Sequence, residues 1–326
     1  MRAGPAAPPH GELSAVGGTT TKVAPCPGRR GRRLGAVAGV VGLATLVAAC
    51  ASPSGQPTTP TTAAPEVSHI IPGPSGLLGA GQPQPNGTMW LLSGSPQVKA
   101  IDQIDLSGGQ TVASVGVSAN ATAVAQSSTG AIAVGLGTAT TGAVELHSGT
   151  TGAVTSTVPV GAPVRALAFG ADGVTLYVLN GAGRSTSLST IDTSSGTVTG
   201  SVGMPVDGVA VTPDPANANV WSVQQSDNLQ QTSLTSRRAV QVLPIDGPGI
   251  GVAITPQGQS ILVLKGTGTV DNIVEIDTSS GTVTRTLAAA AHSVGLVISP
   301  DGATLYDLVG TPSYGNIQVI PLPTGS

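Results

Sequence analysis

Three ionisable residues stand just before short apolar runs: Arg165 in PVRALAF, Asp207 in PVDGVAV and His292 in AHSVGLV. If those runs surround a common axis, opposite charges beside one another there could grip a zwitterionic or sugar ligand. Mutual pairing of the charges is the plainer expectation. Other residue types that carry chemistry are sparse. The chain has no Gly-x-Ser-x-Gly nucleophile turn, no HExxH or CxxC metal spacing and no phosphate-binding loop. Beyond residue 50 the histidines are His69, His147 and His292, far apart along the chain and short of the three protein ligands usual in a catalytic zinc site. Neither a metal nor a cofactor is expected. Asp105, Asp192 and Asp277 each precede Ser, Thr and Gly, which suits carboxylates that cap a turn by accepting backbone N–H groups. Arg237 and Arg238 read as a solvated turn.

Cys50 carries a different chemistry. Arg29, Arg30, Arg32 and Arg33 are followed by sixteen uncharged, mostly apolar residues, 34–49, that end in small ones. This is the layout of a secretory signal and is short for a membrane-spanning helix, which needs about twenty apolar residues. The run Val47-Ala48-Ala49-Cys50 resembles the bacterial lipobox. That resemblance implies cleavage before Cys50, a diacylglyceryl group on its thiol and a mature chain that begins there; an ordinary cleaved signal is the alternative. The general secretory route is expected, since the flanking pattern of a twin-arginine signal is missing around Arg32 and Arg33. Cys26 would be discarded with the signal, leaving no cysteine for a disulfide in an exported protein. Residues 51–65, ASPSGQPTTPTTAAP, have no apolar periodicity and read as an extended tether of roughly 3.1 Å per residue. Residues 1–49 are thus an N-terminal extension and signal, and 50–65 the lipidated cysteine and its tether. Residues 66–326 form the globular domain.

Only 9% of the residues are charged, against roughly 25% in an average domain. From residue 50 onward 7 basic residues face 15 acidic ones. Nucleic acid is excluded as a partner, because its binding needs clustered Lys and Arg. Abundant Gly, Pro, Thr, Ser and Val favour short strands and turns.

The elements that must position these residues repeat. IDTSSGTVT occurs at 191–199 and again at 276–284. Apolar runs TMWLL (88–92), AIAVG (131–135), TLYVL (175–179), NVWSV (219–223), SILVL (260–264) and TLYDL (304–308) recur every 41 to 44 residues. Their middle position holds Trp90, Ala133, Tyr177, Trp221, Leu262 and Tyr306, a shared register expected to pack between units. Before most of these runs lies a small apolar strand and a turn, as in ALAFGADG (166–173), GVAVTPDP (208–215), GVAITPQG (251–258) and GLVISPDG (295–302). IDTSSGTVT then supplies the outer hairpin of a four-stranded unit.

Four antiparallel strands in about 43 residues match one propeller blade. The pattern of GVAVTPD, LYV and IDTxxGTV strongly resembles the YVTN β-propeller repeats of exported bacterial proteins, over about residues 66–326. The resemblance implies architecture and leaves activity open. The expected fold is all-β: a six-bladed propeller of four-stranded antiparallel blades. Its last unit ends at Ser326 soon after a third strand, NIQVIPL (316–322), so the fourth should come from EVSHIIPGPSG (66–76). Such a 3+1 clasp of the two ends removes exposed sheet edges. Seven blades, common in this family, are the alternative.

The function expected from these readings is that of a lipid-anchored, extracytoplasmic, non-enzymatic module on the cell membrane. It would be a monomer that binds a protein, peptide or envelope component. The alternative is a propeller enzyme (hydrolase, lyase or quinone-dependent dehydrogenase) with an axial active site.

Overall fold

The computed structural model of the chain describes residues 64, 66–182, 185–204 and 207–323. Cys50, the signal and nearly all of the tether lie outside them. Every regular element among the described residues is a β-strand, and no helix there is long and apolar enough to cross a membrane. Twenty-four strands form six four-stranded antiparallel sheets. Five blades are continuous in sequence. Blade 3 is typical: Val164–Phe169, Thr175–Ala182, Ser185–Asp192 and Thr197–Met204, from the axis outwards.

The sixth blade takes its inner three strands from the C-terminal end, Ser293–Ile298, Thr304–Thr311 and Tyr314–Pro321. His69–Gly73 is its outer strand. His69 pairs with Val319 and Gly73 with Gly315 in an unbroken ladder. The expected six blades and the 3+1 clasp are both present.

Six buried apolar clusters occupy the seams, one between each blade and the next. Each sheet is therefore covered on both faces, which is why runs in the second strands such as ILVL (261–264) are apolar throughout instead of alternating. The shared aromatic register supplies one residue to every seam. Trp90 packs between blades 1 and 2, and Trp221 between blades 4 and 5.

The duplicated phrase is an outer hairpin. Asp192 Oδ1 accepts the backbone N–H of Ser194 at 2.8 Å, and Asp277 Oδ1 accepts that of Ser280 at 2.8 Å. The hydroxyl of Ser279 and both groups of Ser280 hold the Asp277 carboxyl down to about 2. These aspartates cap turns.

The turn then needs a left-handed residue, supplied by Gly196 (φ 65°) and Gly281 (φ 68°). Blade 4 places Arg237 there, at φ 56°, where a Cβ meets its own carbonyl at a cost of roughly 1–2 kcal/mol. Replacing Arg237 by Gly should raise stability by about 0.5–1 kcal/mol, glycine's extra freedom in the unfolded chain offsetting the rest. Urea midpoints of the two proteins measure it.

Candidate functional site at the axis

The innermost strands are Gly79–Ala80, Ala121–Gln126, Val164–Phe169, Gly208–Pro213, Gly249–Ile254 and Ser293–Ile298. Near their C-terminal ends they surround a cavity of about 340 Å³. One residue from each strand, at equivalent register, forms its collar: Ala80, Val124, Leu167, Val211, Val252 and Leu296. Phe169, Ile254 and Ile298 stand two residues further along their strands, with Ser128, Thr212, Thr255 and Ser299 as polar neighbours. Among the described residues no ionisable side chain lines this cup.

The collar follows directly from the repeat. The fourth position of each six-residue inner strand is an aliphatic residue that lines the cup while packing into a seam between blades, because the strands share length and pleat. Blade 1 differs, with a two-residue inner strand and the small Ala80. Gly81 beside it packs so closely on Gln126 that a Cβ would lie 2.6 Å from that residue's own.

Between blades 1 and 2 a polar groove of about 410 Å³ is lined by Gln84, Asn86, Thr88, Gln103, Thr129 and Thr150. Gln126 lines both spaces. It is 3% exposed and its Oε1 accepts no hydrogen bond. Cup and groove together offer apolar contact plus amide and hydroxyl hydrogen bonds, and no charge.

Arg165, Asp207 and His292 sit at the opposite end, where the inner strands begin. Arg165 is the extra residue of a bulge between Val164 and Ala166, which turns its side chain sideways. Its Nε donates to the Gly181 carbonyl at 3.2 Å, and Nη1 donates to the Gly208 carbonyl of blade 4 at 3.3 Å. Thr122, the matching bulge residue of blade 2, donates likewise to the Val164 carbonyl of blade 3 at 2.8 Å. Arg165 thus stitches adjacent blades. Asp207 (φ 69°) and His292 (φ 67°) hold matching left-handed positions just before their inner strands. The structure brings Arg165 next to the Asp207–Gly208 turn. His292 stands two blades away.

Two residues that the sequence reading passed over are buried carboxylates between blades 5 and 6, Asp271 and Asp307. Among the described residues no cluster of three or more His, Cys, Asp or Glu side chains gathers as a metal set would. A signal for Asp307 was present in the sequence. TLYDL places a charge where the other blades have Leu91, Val134, Val178, Ser222 and Val263. Burial pushes its carboxyl up to about 6, Asp271 adding to this against hydrogen bonds from Ser293 and Ala290.

Fold and cup together define a six-bladed β-propeller with an axial cup that no ionisable side chain lines among the described residues. No family model matches the chain, and no curated protein sequence matches it. Among solved structures the chain is similar in fold to Kuenenia stuttgartiensis hydrazine synthase, with a TM-score of 0.57 and 15% sequence identity. The match covers 80% of this chain and 89% of that one. At that identity the likeness is one of fold.

Proposed function

We propose that this chain is an extracytoplasmic lipoprotein of the YVTN-propeller type, anchored to the cell membrane through an acylated Cys50. Its propeller acts as a non-enzymatic binding module for an uncharged part of a protein, peptide or envelope component. The observation that carries this reading is the axial cup, whose collar is aliphatic in all six blades and whose lining holds no ionisable group. General acid–base and nucleophilic catalysis need a positioned titratable group or an activated nucleophile, and the cup supplies neither. A neutral, partly apolar ligand avoids there the large cost of burying a charge, and the Ser, Thr and Gln groups at the rim can take over hydrogen bonds from water.

Strand order sets the side on which the chain enters the propeller. His69, the first residue of the outer strand of blade 6, pairs near the end of Tyr314–Pro321, the end at which the inner strands also finish. The chain therefore enters the propeller on the cup side.

The test is affinity capture from intact envelopes with the tethered domain as bait, mass spectrometry reading both proteins and small molecules. Leu167→Glu puts a charge into the collar. Leaving it unpaired against a bound apolar group should cost a few kcal/mol, and capture should fall by about 100-fold. Asp207→Asn and His292→Asn, at the far end and in conformations Asn tolerates, should change capture less than twofold. The opposite pattern would move the site to the Arg165 end, and turnover lost with either variant would favour an enzyme. Cys50→Ser should release the protein from membranes.

A further inference from the structure

Asp307 lies in the second strand of blade 6 on the face that carries Leu305, and Leu305 packs in the seam with blade 5. Asp271 opens the third strand of blade 5 on the face that carries Ile273, a member of the same seam. Alternation of side chains along a strand therefore turns both carboxylates into one interface. Asp271 is 3% exposed and Asp307 0%.

Half of each carboxylate is accounted for. Asp307 Oδ2 accepts the Ser293 hydroxyl at 3.0 Å and the Ala290 N–H at 3.3 Å. Asp271 Oδ1 accepts the Gly268 N–H at 2.7 Å. The turn holding Gly268 is bound to the loop holding Ala290, since the His292 N–H donates to the Gly268 carbonyl and the Ala289 N–H to that of Asp271. The remaining oxygens, Asp307 Oδ1 and Asp271 Oδ2, are buried with no hydrogen-bond partner. Neither aspartate has an ion pair among the described residues.

Two buried carboxylates in one seam, each with an oxygen that no protein group bonds, carry negative charge that no neighbouring side chain compensates. Desolvation makes that costly unless a counter-charge is present. Nothing in the repeat requires it, because aliphatic residues fill the Asp307 position in four other blades. We propose that this seam is a binding site for a hard divalent cation of calcium size, held by Asp271 Oδ2 and Asp307 Oδ1. The cation locks blade 5 to blade 6, the blade that closes the ring. Calcium takes carboxylate, carbonyl, hydroxyl and water oxygens together, and the Ser293 hydroxyl and the Gly268 and Ala290 carbonyls belong to the same two loops. With only two carboxylates, the affinity belongs with the weak extracellular class, on the order of 0.1–1 mM.

Thermal unfolding of the whole chain at pH 7.5 tests this, in EGTA and in a large excess of calcium over that range. A ten- to hundredfold excess should raise the midpoint by about 3–10 °C. Asp307→Val, which copies blades 2, 3 and 5, should remove the response while melting no lower than the wild type in EGTA. Asp271→Asn should lose the response as well. Coincident wild-type curves with and without calcium would overturn the site, leaving the pair satisfied by a shared proton or buried water. A full calcium response in Asp307→Val would overturn it too, placing the ion elsewhere.

Discussion

Removing residues 66–73 should cost on the order of 5 kcal/mol, as much as the whole net stability of many domains. This segment is the fourth strand of a blade otherwise made by the far end of the chain. Its loss exposes Ile317 and Val319, which lie under Ile71 in the seam between blades 6 and 1. Burying Ile71 alone contributes about 1.5–3 kcal/mol. Five paired residues of ladder go with it. So does the contact of Pro72 with Gly109 of blade 1, close enough that a Cβ on Gly109 would lie 2.7 Å from the Pro72 carbonyl oxygen. Tyr314–Pro321 would become an open edge, the kind of surface that recruits other chains. The truncated protein should melt far lower and elute partly as aggregate in size-exclusion chromatography. Adding a synthetic peptide of residues 64–76 should restore part of the loss, since strand addition to an edge is a known binding mode. A truncated chain that melts within a few degrees of the intact one would show that the clasp does not hold the ring.

Trp221→Ala is expected to destabilise by about 3–5 kcal/mol, the range for emptying a buried indole site, and to lower the midpoint by roughly 6–15 °C. Trp221 is completely buried between blades 4 and 5 among Val223, Val252 and Val263. Its Nε1 also donates to Asp214 Oδ2 at 3.4 Å. Asp214 is buried as well and keeps the Ala216 N–H at 2.9 Å and the Gln231 amide at 3.0 Å after the change. Most of the loss is therefore cavity and lost apolar contact. Trp221→Phe separates the two effects and should cost about 1–2 kcal/mol. Chemical denaturation followed by circular dichroism measures both. A loss below 1 kcal/mol in Trp221→Ala would mean the seam can collapse around the gap.

Much of this architecture was legible before any coordinates. Period, turn chemistry and the twice-written IDTSSGTVT are local features, and each blade is built by local rules: strands of fixed length, a proline or aspartate turn, a left-handed glycine. The missing fourth strand could be inferred from counting, because a closed ring leaves no unpaired edge. Legibility ended at the site. Arg165, Asp207 and His292 stood out because they are charged residues in a neutral chain. The fold sets Arg165 to bonding carbonyls of two blades and places all three at the end away from the cup. The cup itself is made of Ala80, Val124, Leu167, Val211, Val252 and Leu296, residues indistinguishable in sequence from any core position.

The sequence by itself determined the all-β repeat, the number of units, the clasp of beginning to end and the aromatic register between blades. All but the clasp depend on contacts within one unit or with its nearest neighbour in the chain, which a local pattern can encode; the clasp joins opposite ends of the chain and follows from the count, since a closed ring leaves no unpaired edge. Tertiary structure alone decided that six ordinary aliphatic side chains form a collar, and that the chain enters on the collar's side. It also decided that Asp271 and Asp307, 36 residues apart, share one buried seam. Each of these is a convergence about an axis or across an interface, and no single repeat carries the information that its neighbours point to the same place.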